Sequence, residues 1–172
     1  MEYILKDGKS VIIRRPVVED AKELISVIST ADKETMFLAR KPTLEEEQNI
    51  ITGLLSSTDS TWFVAEFAGK VVGQCSVGLV NRYQRYRHRA GVAFVLLEGY
   101  CNIGIGGKMM EECLKWCVDN NVTQVELDVV KNNVRALKMY QNFGFEIVGT
   151  IPNALRYSDG TCVDEYTMVK FL

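Results

Sequence analysis

The glycine-rich run GYCNIGIGGKMM at residues 99–110 is the stretch whose residue types most suggest chemistry, and it holds four of the chain's 13 glycines. It follows the apolar segment AGVAFVLL and leads into a segment with helical spacing. A glycine-rich turn between a strand and a helix leaves several backbone N–H groups free at the positive end of the helix dipole, which suits a phosphate. Glycines are also common where a chain simply turns tightly, so both interpretations stay open at this point.

Two nucleotide-binding motifs do not fit this run. A Walker A loop ending at Gly107 and Lys108 requires glycine at position 102 and serine or threonine at 109, where the chain has Asn102 and Met109. A dinucleotide fingerprint that begins at Gly104 requires a third small residue where Met109 stands, and the run lies mid-chain after several strands instead of opening a βαβ unit. A nicotinamide-dependent dehydrogenase is therefore kept only as a third alternative.

Composition indicates one domain spanning residues 1–172. With 172 residues and 47% hydrophobic content, the chain is long enough for one core and short for two. The net charge of −2 gives no general attraction for nucleic acid or an anionic membrane. No apolar run approaches the roughly 20 residues of a membrane span, and an acid at position 2 is unlike a signal peptide, so we expect a cytoplasmic protein.

Five cysteines and a single histidine argue against a metal site and a disulfide framework. An odd number of cysteines without a framework spacing, in a chain with no export signal, favours free thiols. One histidine leaves too few ligands for a typical zinc site, so we expect no metal. The cysteines are Cys75, Cys101, Cys113, Cys117 and Cys162.

The order of elements predicts an α+β fold with a mixed, mostly antiparallel sheet of about seven strands and about four helices. Thr43 is a candidate N-cap for the second helix, Ala68 to Lys70 a candidate hairpin turn, and SDGT a second one. The predicted strands are SVIIRRP, the two halves of TWFVAEFAGKVVGQCSVGLV, AGVAFVLL, TQVELDVV and the two halves of the closing segment. The predicted helices are VEDAKELISVIST, KPTLEEEQNIITGLLSS, residues 104–120 and NNVRALKMYQNFG.

A second motif, about 27 residues after the glycine run, completes a recognisable pattern. In NNVRALKMYQNFGFEIVG, five residues follow the order N-x-x-A-x-x-x-Y-x-x-x-G-F, namely Asn133, Ala136, Tyr140, Gly144 and Phe145. The glycine run and this motif, at this spacing and with this order of elements, resemble the GCN5-related N-acetyltransferase (GNAT) superfamily. The opening GKSVIIRRPVVEDAKEL and the ending DGTCVDEYTMVKFL are similar to its bacterial branch of ribosomal-protein N-terminal and amino-acid acetyltransferases.

The resemblance implies acetyl-CoA as co-substrate and assigns roles by position. Backbone amides of the glycine run would hold the pyrophosphate, the end of the preceding strand would pair with the pantetheine amides, and Tyr140 would protonate the leaving thiolate. Asn133 would both cap its helix and reach the acetyl-CoA. The implied acetyl-CoA-binding residues are Phe94, Val95, Leu96, Cys101, Asn102, Ile103, Gly104, Ile105, Gly106, Gly107, Asn133 and Tyr140.

The proton acceptor for the amine is not evident from the sequence. Relatives often carry a glutamate on the strand before the loop, but HRAGVAFVLL has no acid. Glu34, Glu66 and His88 are candidates for this role. Glu34, Thr35, Phe37 and His88 are candidates for substrate contacts, because the first helical connection should meet the central strands there.

The resulting expectation is an N-acetyltransferase that moves the acetyl group of acetyl-CoA to a primary amine by direct attack on the thioester. The acceptor would be a free amino acid, a small amine or a peptide or protein N-terminus. The alternative is an acyl-CoA-binding module of the same fold without turnover, which the missing strand glutamate leaves open. Exposed closing strands make a homodimer a further expectation.

Two residues of the glycine run differ from what the family commonly carries. Relatives often have glycine at the position of Asn102, and asparagine tolerates the left-handed backbone that such a position needs. Arg or Gln is common where Cys101 stands, so the chain lacks one side chain that could support an anion. We expect the Cys101 thiol, beside a helix N-terminus, to be reactive in the empty protein and shielded by acetyl-CoA.

Overall fold

The computed structural model describes residues 1–31, 42–157 and 159–172, with the backbone alone for residues 30 and 31. Within these residues the fold is α+β, as expected, with four α-helices and eight strands of a mostly antiparallel sheet. The strands are β1 (Glu2–Ile4), β2 (Ser10–Arg14), β3 (Ser60–Phe67), β4 (Lys70–Leu79), β5 (Arg89–Leu96), β6 (Gln124–Val130), β7 (Glu146–Arg156) and β8 (Cys162–Phe171). The helices are α1 (Ala21–Ala31), α2 (Leu44–Ser56), α3 (Ile105–Asp119) and α4 (Val134–Asn142). None of the four, over the part described, is long and apolar enough to span a bilayer.

The structure has one strand more than the seven expected from the sequence. The additional strand is β1, at the start of the chain. It is three residues long and pairs antiparallel with β2, with Tyr3 opposite Val11. The Tyr3 hydroxyl donates a hydrogen bond to the buried carboxylate of Glu112 on α3. Burial and the neighbouring Glu112 raise the pKa of Tyr3 to about 12, so the hydroxyl stays a donor. Three residues are too few for strand alternation to be recognised, and Glu112 is distant in the sequence.

The chain divides into two compact units, of which the first comprises Met1–Gly78 and Ala93–Trp116. Its strands β1, β2, β3 and β4 are successive antiparallel neighbours. Just after β5, the amide of Leu97 donates to the carbonyl of Val72 on β4 (3.0 Å). One core cluster joins the first two helices to the strands, and it consists of Ala21, Leu24, Val27, Ile51, Val64 and Val71, with Val18, Val95 and Leu97 packed against it.

The second unit comprises Leu79–Val92 and Cys117–Leu172. Here the start of β5 pairs in parallel with β6, from Arg89 to Gly91, and β8 lies antiparallel between β6 and β7. The edge strand β7 exposes apolar side chains, among them Val148 at 61%. The homodimer expected from exposed closing strands stays a prediction, which light scattering on the purified protein would check.

Short-range signals in the sequence account for the ends of several elements. Thr43 forms the expected cap of α2, since its hydroxyl accepts from the Glu46 amide (3.2 Å) while its own amide donates to the Glu46 carboxylate (2.8 Å). The β3–β4 turn places Ala68 (φ 51°) and Gly69 (φ 76°) in the left-handed region that a two-residue hairpin requires. The Asn133 side chain accepts from the Ala136 amide (3.1 Å) at the start of α4, as expected.

Gly73 on β4 lets the end of β5 approach closely. A Cβ atom at this position would lie 2.7 Å from Cδ1 of Leu96 and 3.0 Å from the carbonyl oxygen of Val95. The leucine side chain can turn away, but the carbonyl belongs to the backbone and can only move with the strand. Glycine at position 73 therefore permits the observed path of β5 at Val95 and Leu96.

Replacing Gly73 by alanine is expected to displace the end of β5 and to destabilise the fold by about 1–3 kcal/mol, the usual cost of overpacking. Urea unfolding followed by circular dichroism measures this change. The matched control is Gly53→Ala, because Gly53 lies in the interior of α2 and a Cβ atom there would meet no described atom within 4 Å. Alanine there should stabilise by about 0.5–1 kcal/mol. Equal changes in stability for Gly73→Ala and Gly53→Ala would contradict the close approach of β5 to Gly73.

Candidate functional site

The glycine run forms a loop that turns the chain from β5 into α3. A short 3₁₀ turn over Glu98–Tyr100 precedes it, and α3 begins at Ile105. Asn102 has φ 64° and Gly104 has φ 102°, both in the left-handed region. Asn102 thus adopts the backbone conformation that was expected of it, and at Gly104 a larger residue would be strained.

Six consecutive backbone N–H groups in this loop have no acceptor among the described residues. The amide of Cys101 donates to the carbonyl of Glu98 (3.1 Å), and that of Lys108 donates to Gly104 (3.2 Å). Between them, nothing in the described part of the chain accepts a hydrogen bond from the amides of residues 102–107. The N–H groups in the first turn of a helix have no intrahelical acceptor and point out of its N-terminal end. This arrangement can therefore bind an anion through the backbone alone.

The first turns of α3 are anchored by buried side chains. Ile105, Met109 and Cys113 follow each other at intervals of four residues and are each 0% exposed, as is Met110. The sulfur of Cys113 donates to Cys75 on β4 (3.5 Å), and this hydrogen bond, together with burial, raises the pKa of the Cys113 thiol. These buried side chains hold α3 in place. The first turn of α3, which contains Gly106 and Gly107, follows directly after the loop.

Side chains near the loop contribute little net charge. The ammonium group of Lys108 is bound by both carboxylate oxygens of Glu111 (2.8 and 2.9 Å) and lies 5.1 Å from the ring centre of Tyr3. Cys101 is half-buried, and its thiol donates to the carbonyl of Leu97 (3.5 Å). The positive end of the site therefore consists mainly of backbone N–H groups.

The end of β5 contains the residues that were expected to pair with pantetheine. Phe94, Val95 and Leu96 are all half-buried. In the second unit, the parallel pairing of β5 with β6 ends at Gly91, opposite Glu126. A half-buried strand end of this kind can receive an extended ligand as a neighbouring strand does.

Asn133 and Tyr140 lie at the start and in the body of α4, in the second unit. The side chain of Asn133 caps the helix, and its own amide donates to the carbonyl of Val130 (2.9 Å). Tyr140 is 7% exposed, and its ring packs against Phe145 with 6.0 Å between the ring centres. A buried tyrosine at this position has a fixed ring, as a proton donor requires, although the same packing would also serve a purely structural residue.

The structure separates the candidates for the proton acceptor. Glu66 binds the guanidinium of Arg14 (2.8 Å), which also makes two hydrogen bonds to Asp20 (2.6 and 2.8 Å). His88 is exposed and precedes β5, so it lies at the opposite end of that strand from the glycine loop. Glu34, Thr35 and Phe37 lie outside the described residues.

Sequence reasoning missed two buried carboxylates. Of the buried acids in the described residues, Asp20 is bound by Arg14 and Glu112 by Tyr3. Glu47 on α2 is 1% exposed, and its Oε1 atom has no hydrogen-bond partner in the described part of the chain. Glu165 on β8 is 8% exposed. The only sequence signal for Glu165 is an acid within the alternating closing strand DEYTMVKF, where it would pass for a solvent-facing residue.

Within the described residues, no group of three or more His, Cys, Asp or Glu side chains is arranged to hold a metal ion. The arrangement that remains is, on one unit, a loop of backbone N–H groups without an acceptor among the described residues and, on the other, a capped helix with a buried tyrosine. Both correspond to motifs that the sequence contains.

Comparison with known proteins gives consistent matches. The family model described as "Acetyltransferase (GNAT) family" matches residues 25–145. L-amino acid N-acetyltransferase AaaT of Escherichia coli (strain K12) is 36% identical over 110 residues, which are 62% of this chain and 65% of that protein. The chain thus spans less than two thirds of the length of this relative.

Solved structures match over almost the whole chain. An acetyltransferase of the GNAT family from Streptococcus pneumoniae superposes with a TM-score of 0.85 at 26% identity, covering 94% of this chain and 99% of that one. A GNAT superfamily phosphinothricin acetyltransferase from Sinorhizobium meliloti, solved in complex with acetyl-CoA, has a TM-score of 0.84 at 17% identity and covers 94% and 88%. The second likeness concerns the fold alone.

Proposed function

We propose that this chain, which belongs to the acetyltransferase (GNAT) family, is an N-acetyltransferase that moves the acetyl group of acetyl-CoA to a primary amine. The observation that carries the proposal is the run of six N–H groups, at residues 102–107, that lack an acceptor in the described part of the chain where the family motif would bind a pyrophosphate. A pyrophosphate offers enough oxygens to accept from several of these groups at once. The whole chain would act as one catalytic domain in the cytoplasm.

Acetyl-CoA would lie along residues of the first unit that are mostly exposed or half-buried. Residues 102–107 would bind the pyrophosphate, and Phe94, Val95 and Leu96 would pair with the pantetheine amides as a neighbouring strand does. A backbone N–H from this strand end would also polarise the thioester carbonyl as negative charge develops on its oxygen. Gly73 supports this role indirectly, because it leaves room for the observed path of Val95 and Leu96.

Tyr140 would supply the proton that the leaving sulfur needs. A phenol keeps its proton at neutral pH until a thiolate forms beside it, and it then acts as a general acid. Asn133 would contribute by fixing the start of the helix that carries Tyr140, since its side chain accepts from the Ala136 amide. His88 keeps its candidate role in substrate binding as a prediction, as do Glu34, Thr35 and Phe37.

The name of one relative supports a choice of acceptor class. The Escherichia coli relative is named for L-amino acids, and we propose a free L-amino acid as the first acceptor class for this chain. A polyamine or a peptide N-terminus is the next choice, since each also presents a primary amine.

Purified protein incubated with acetyl-CoA and a mixture of the twenty L-amino acids is expected to release free thiol at a rate that depends on the amine. Separate reactions with spermidine and with a peptide that begins with alanine identify the acceptor class. Thermal unfolding with and without acetyl-CoA reports binding independently of turnover. Stabilisation by acetyl-CoA without thiol release for any amine would instead favour the binding module without turnover.

Tyr140→Phe is expected to lower kcat by about 100-fold or more while acetyl-CoA affinity stays nearly unchanged, because it removes a general acid but keeps the ring. Steady-state kinetics and calorimetric titration of acetyl-CoA separate the two effects. The matched control is Tyr83→Phe, which removes the same hydroxyl from a side chain that is 74% exposed. A Tyr140→Phe variant as fast as the control would show that Tyr140 is not the acid.

Iodoacetamide is expected to label Cys101 in the free protein and much less in the presence of acetyl-CoA, because the bound pyrophosphate would cover the loop. Cys162 is the internal control, since it is also half-buried but lies in the other unit and should be labelled equally under both conditions. Cys75, Cys113 and Cys117 are buried and should stay unmodified in the native protein. Peptide mass spectrometry measures all five. Unchanged labelling of Cys101 would contradict the binding of acetyl-CoA at this loop.

A further inference from the structure

The acceptor amine of the proposed reaction must lose a proton before it can attack the thioester. A primary amine is largely protonated at neutral pH, so it arrives as an ammonium group. The strand β5 has no acid to take that proton. Glu66 is bound to Arg14, and a guanidinium beside a carboxylate makes it a weaker base. The proton acceptor is therefore sought among the other acids of the first unit, which contains the glycine loop and the end of β5.

Glu47 on α2 is a buried carboxylate with an unpartnered oxygen. The residue is 1% exposed, and it shares the buried positions of this helix with Ile51 alone. Its Oε1 atom is buried and has no hydrogen-bond partner in the described part of the chain. A buried acid that serves the fold is normally bound, as Asp20 is by Arg14. An unsatisfied one costs folding free energy, and such groups concentrate at functional sites.

A second unpartnered oxygen lies on β4, in the same unit. Gln74 is 8% exposed, and its Oε1 atom is buried without a hydrogen-bond partner among the described residues. Gln74 pairs with Val64 on β3, so these two side chains lie on the same face of the sheet. Within the described residues of the first unit, Glu47 and Gln74 are the two side chains that have a buried, unpartnered polar atom.

One hydrophobic cluster connects Glu47 with Gln74. Ile51, one helical turn after Glu47, and Val64, opposite Gln74, both belong to it. Residues four apart in a helix share a face, so Glu47 lies on the side of α2 that packs against this cluster. Both unpartnered oxygens therefore belong to side chains at the contact between α2 and the sheet.

The positions of Glu47 and Gln74 along their elements also agree. The end of α2 meets the start of β3, where the hydroxyl oxygens of Ser57 and Ser60 are 3.0 Å apart. From Ser57 back to Glu47 the helix rises roughly 15 Å. From Ser60 forward to Val64 the strand rises roughly 13 Å. Because α2 packs back over β3, these similar distances bring Glu47 to the level of Val64 and Gln74.

The end of β5 adjoins the same cluster. Val95 and Leu97 pack against it, and both are half-buried, so this side of the cluster is accessible from solvent. Gly73, the residue before Gln74, lies so close to β5 that a Cβ atom there would be 3.0 Å from the Val95 carbonyl oxygen. The two unpartnered oxygens are thus placed beside the strand end at which the thioester would lie.

Two acceptor oxygens without donors require a ligand that is rich in N–H groups. An ammonium group has three N–H donors and a positive charge, so it would satisfy both oxygens and balance the carboxylate. An anion would instead add repulsion and further lone pairs. Burial raises the pKa of the Glu47 carboxyl, which brings its conjugate acid closer to neutrality, where a general base is most effective.

Among the described residues, the charged groups on the elements around α2 are bound elsewhere or exposed. The elements packed against α2 are α1, the short turn Val18–Asp20 and β3. Asp20 and Glu66 bind Arg14, Glu23 binds the Val71 amide (2.6 Å), Arg15 binds the Leu54 carbonyl (3.2 Å), Glu46 binds the Thr43 amide (2.8 Å), and Glu19, Lys22 and Glu45 are exposed. The shift in the pKa of Glu47 accordingly comes from burial.

We propose that Glu47 and Gln74 bind the ammonium group of the acceptor and that Glu47 takes one of its protons, an inference that rests on the proposed N-acetyltransferase function. The ammonium group donates to both oxygens, and one N–H proton passes to the Glu47 carboxylate. The freed lone pair forms the C–N bond to the thioester carbonyl carbon, and the C–S bond breaks with its electron pair on sulfur. The nitrogen gives up a second proton and the sulfur takes one up. Glu47 releases its proton to solvent, and the products are an N-acetyl amine and a free thiol.

The test compares Glu47→Gln and Gln74→Met, singly and together, in the full chain. Glutamine keeps the shape of Glu47 without its charge, and methionine keeps the length of Gln74 without its amide oxygen. The matched control is Glu45→Gln, the same change at an exposed position of α2. Initial rates of thiol release are measured with acetyl-CoA and individual L-amino acids, and with spermidine in a second series, from about pH 6 to 10. Calorimetric titration gives the acetyl-CoA affinity of each variant.

Glu47→Gln is expected to lower kcat/KM for the amine by about 100-fold at neutral pH, with unchanged acetyl-CoA affinity. The loss should shrink to about tenfold at high pH, because solvent then removes the proton from the amine. Gln74→Met should raise KM for the amine by about tenfold. The double variant should lose less than the product of the two single losses, because both residues bind one group. Glu45→Gln should match the parent protein.

Stability distinguishes this role from a structural one. Glu47→Met replaces the unpartnered carboxylate with an apolar side chain of similar length. The midpoint of urea unfolding is expected to stay unchanged or to rise, while amine-dependent thiol release is lost. A lower midpoint would show that the carboxylate supports the fold, and it would overturn the inference.

Three kinetic results would also overturn it. A Glu47→Gln variant within threefold of an active parent removes Glu47 as the proton acceptor and leaves the proposed function intact. Single losses that multiply in the double variant would show that Glu47 and Gln74 do not bind the same group. Thermal stabilisation by acetyl-CoA without thiol release by the parent would overturn the proposed function, and this inference with it.

Discussion

The burial of one face of α3 is the constraint on which the rest of the site depends. Ile105, Met109 and Cys113 are completely buried, and covering such side chains contributes roughly 1.5–3 kcal/mol for each large one. The helix therefore cannot rotate or slide without exposing them. As a result, the N–H groups of its first turn are held at a fixed place and in a fixed direction, and Gly104 with its left-handed backbone brings the preceding amides into the same loop.

A site made of backbone amides tolerates changes in the side chains around it. Lys108 is neutralised by Glu111, and Cys101 carries no charge that could replace the Arg or Gln that relatives often have. Neither fact removes a single N–H donor from residues 102–107. A chain with a net charge of −2 can thus offer partial positive charge without a basic patch, because that charge comes from the peptide dipoles.

Features that depend on neighbours in the sequence were predictable, and features that depend on distant partners were not. The Thr43 and Asn133 caps and the turn at Ala68 involve residues within three or four positions, so the sequence contains all the groups that decide them. Tyr3 and Glu112 are 109 positions apart. Their contact fixes β1, yet neither residue reveals the other. The burial of Glu165 depends in the same way on what β6 and β7 place beside it.

Asp20 and Glu165 show how the environment decides what a buried carboxylate does. Burial raises the pKa of Asp20, but two hydrogen bonds from Arg14 and one from the Val17 amide outweigh it, and the net shift is downward. Asp20 therefore contributes stability at neutral pH, which is lost only as the pH falls through this lowered pKa. Burial, and then the negative charge of Asp128, raise the pKa of Glu165, so Glu165 takes up a proton before Asp20 does on acidification. A carboxylate that holds the fold together must stay charged, and Asp20 meets this requirement because its lowered pKa keeps it ionised at neutral pH.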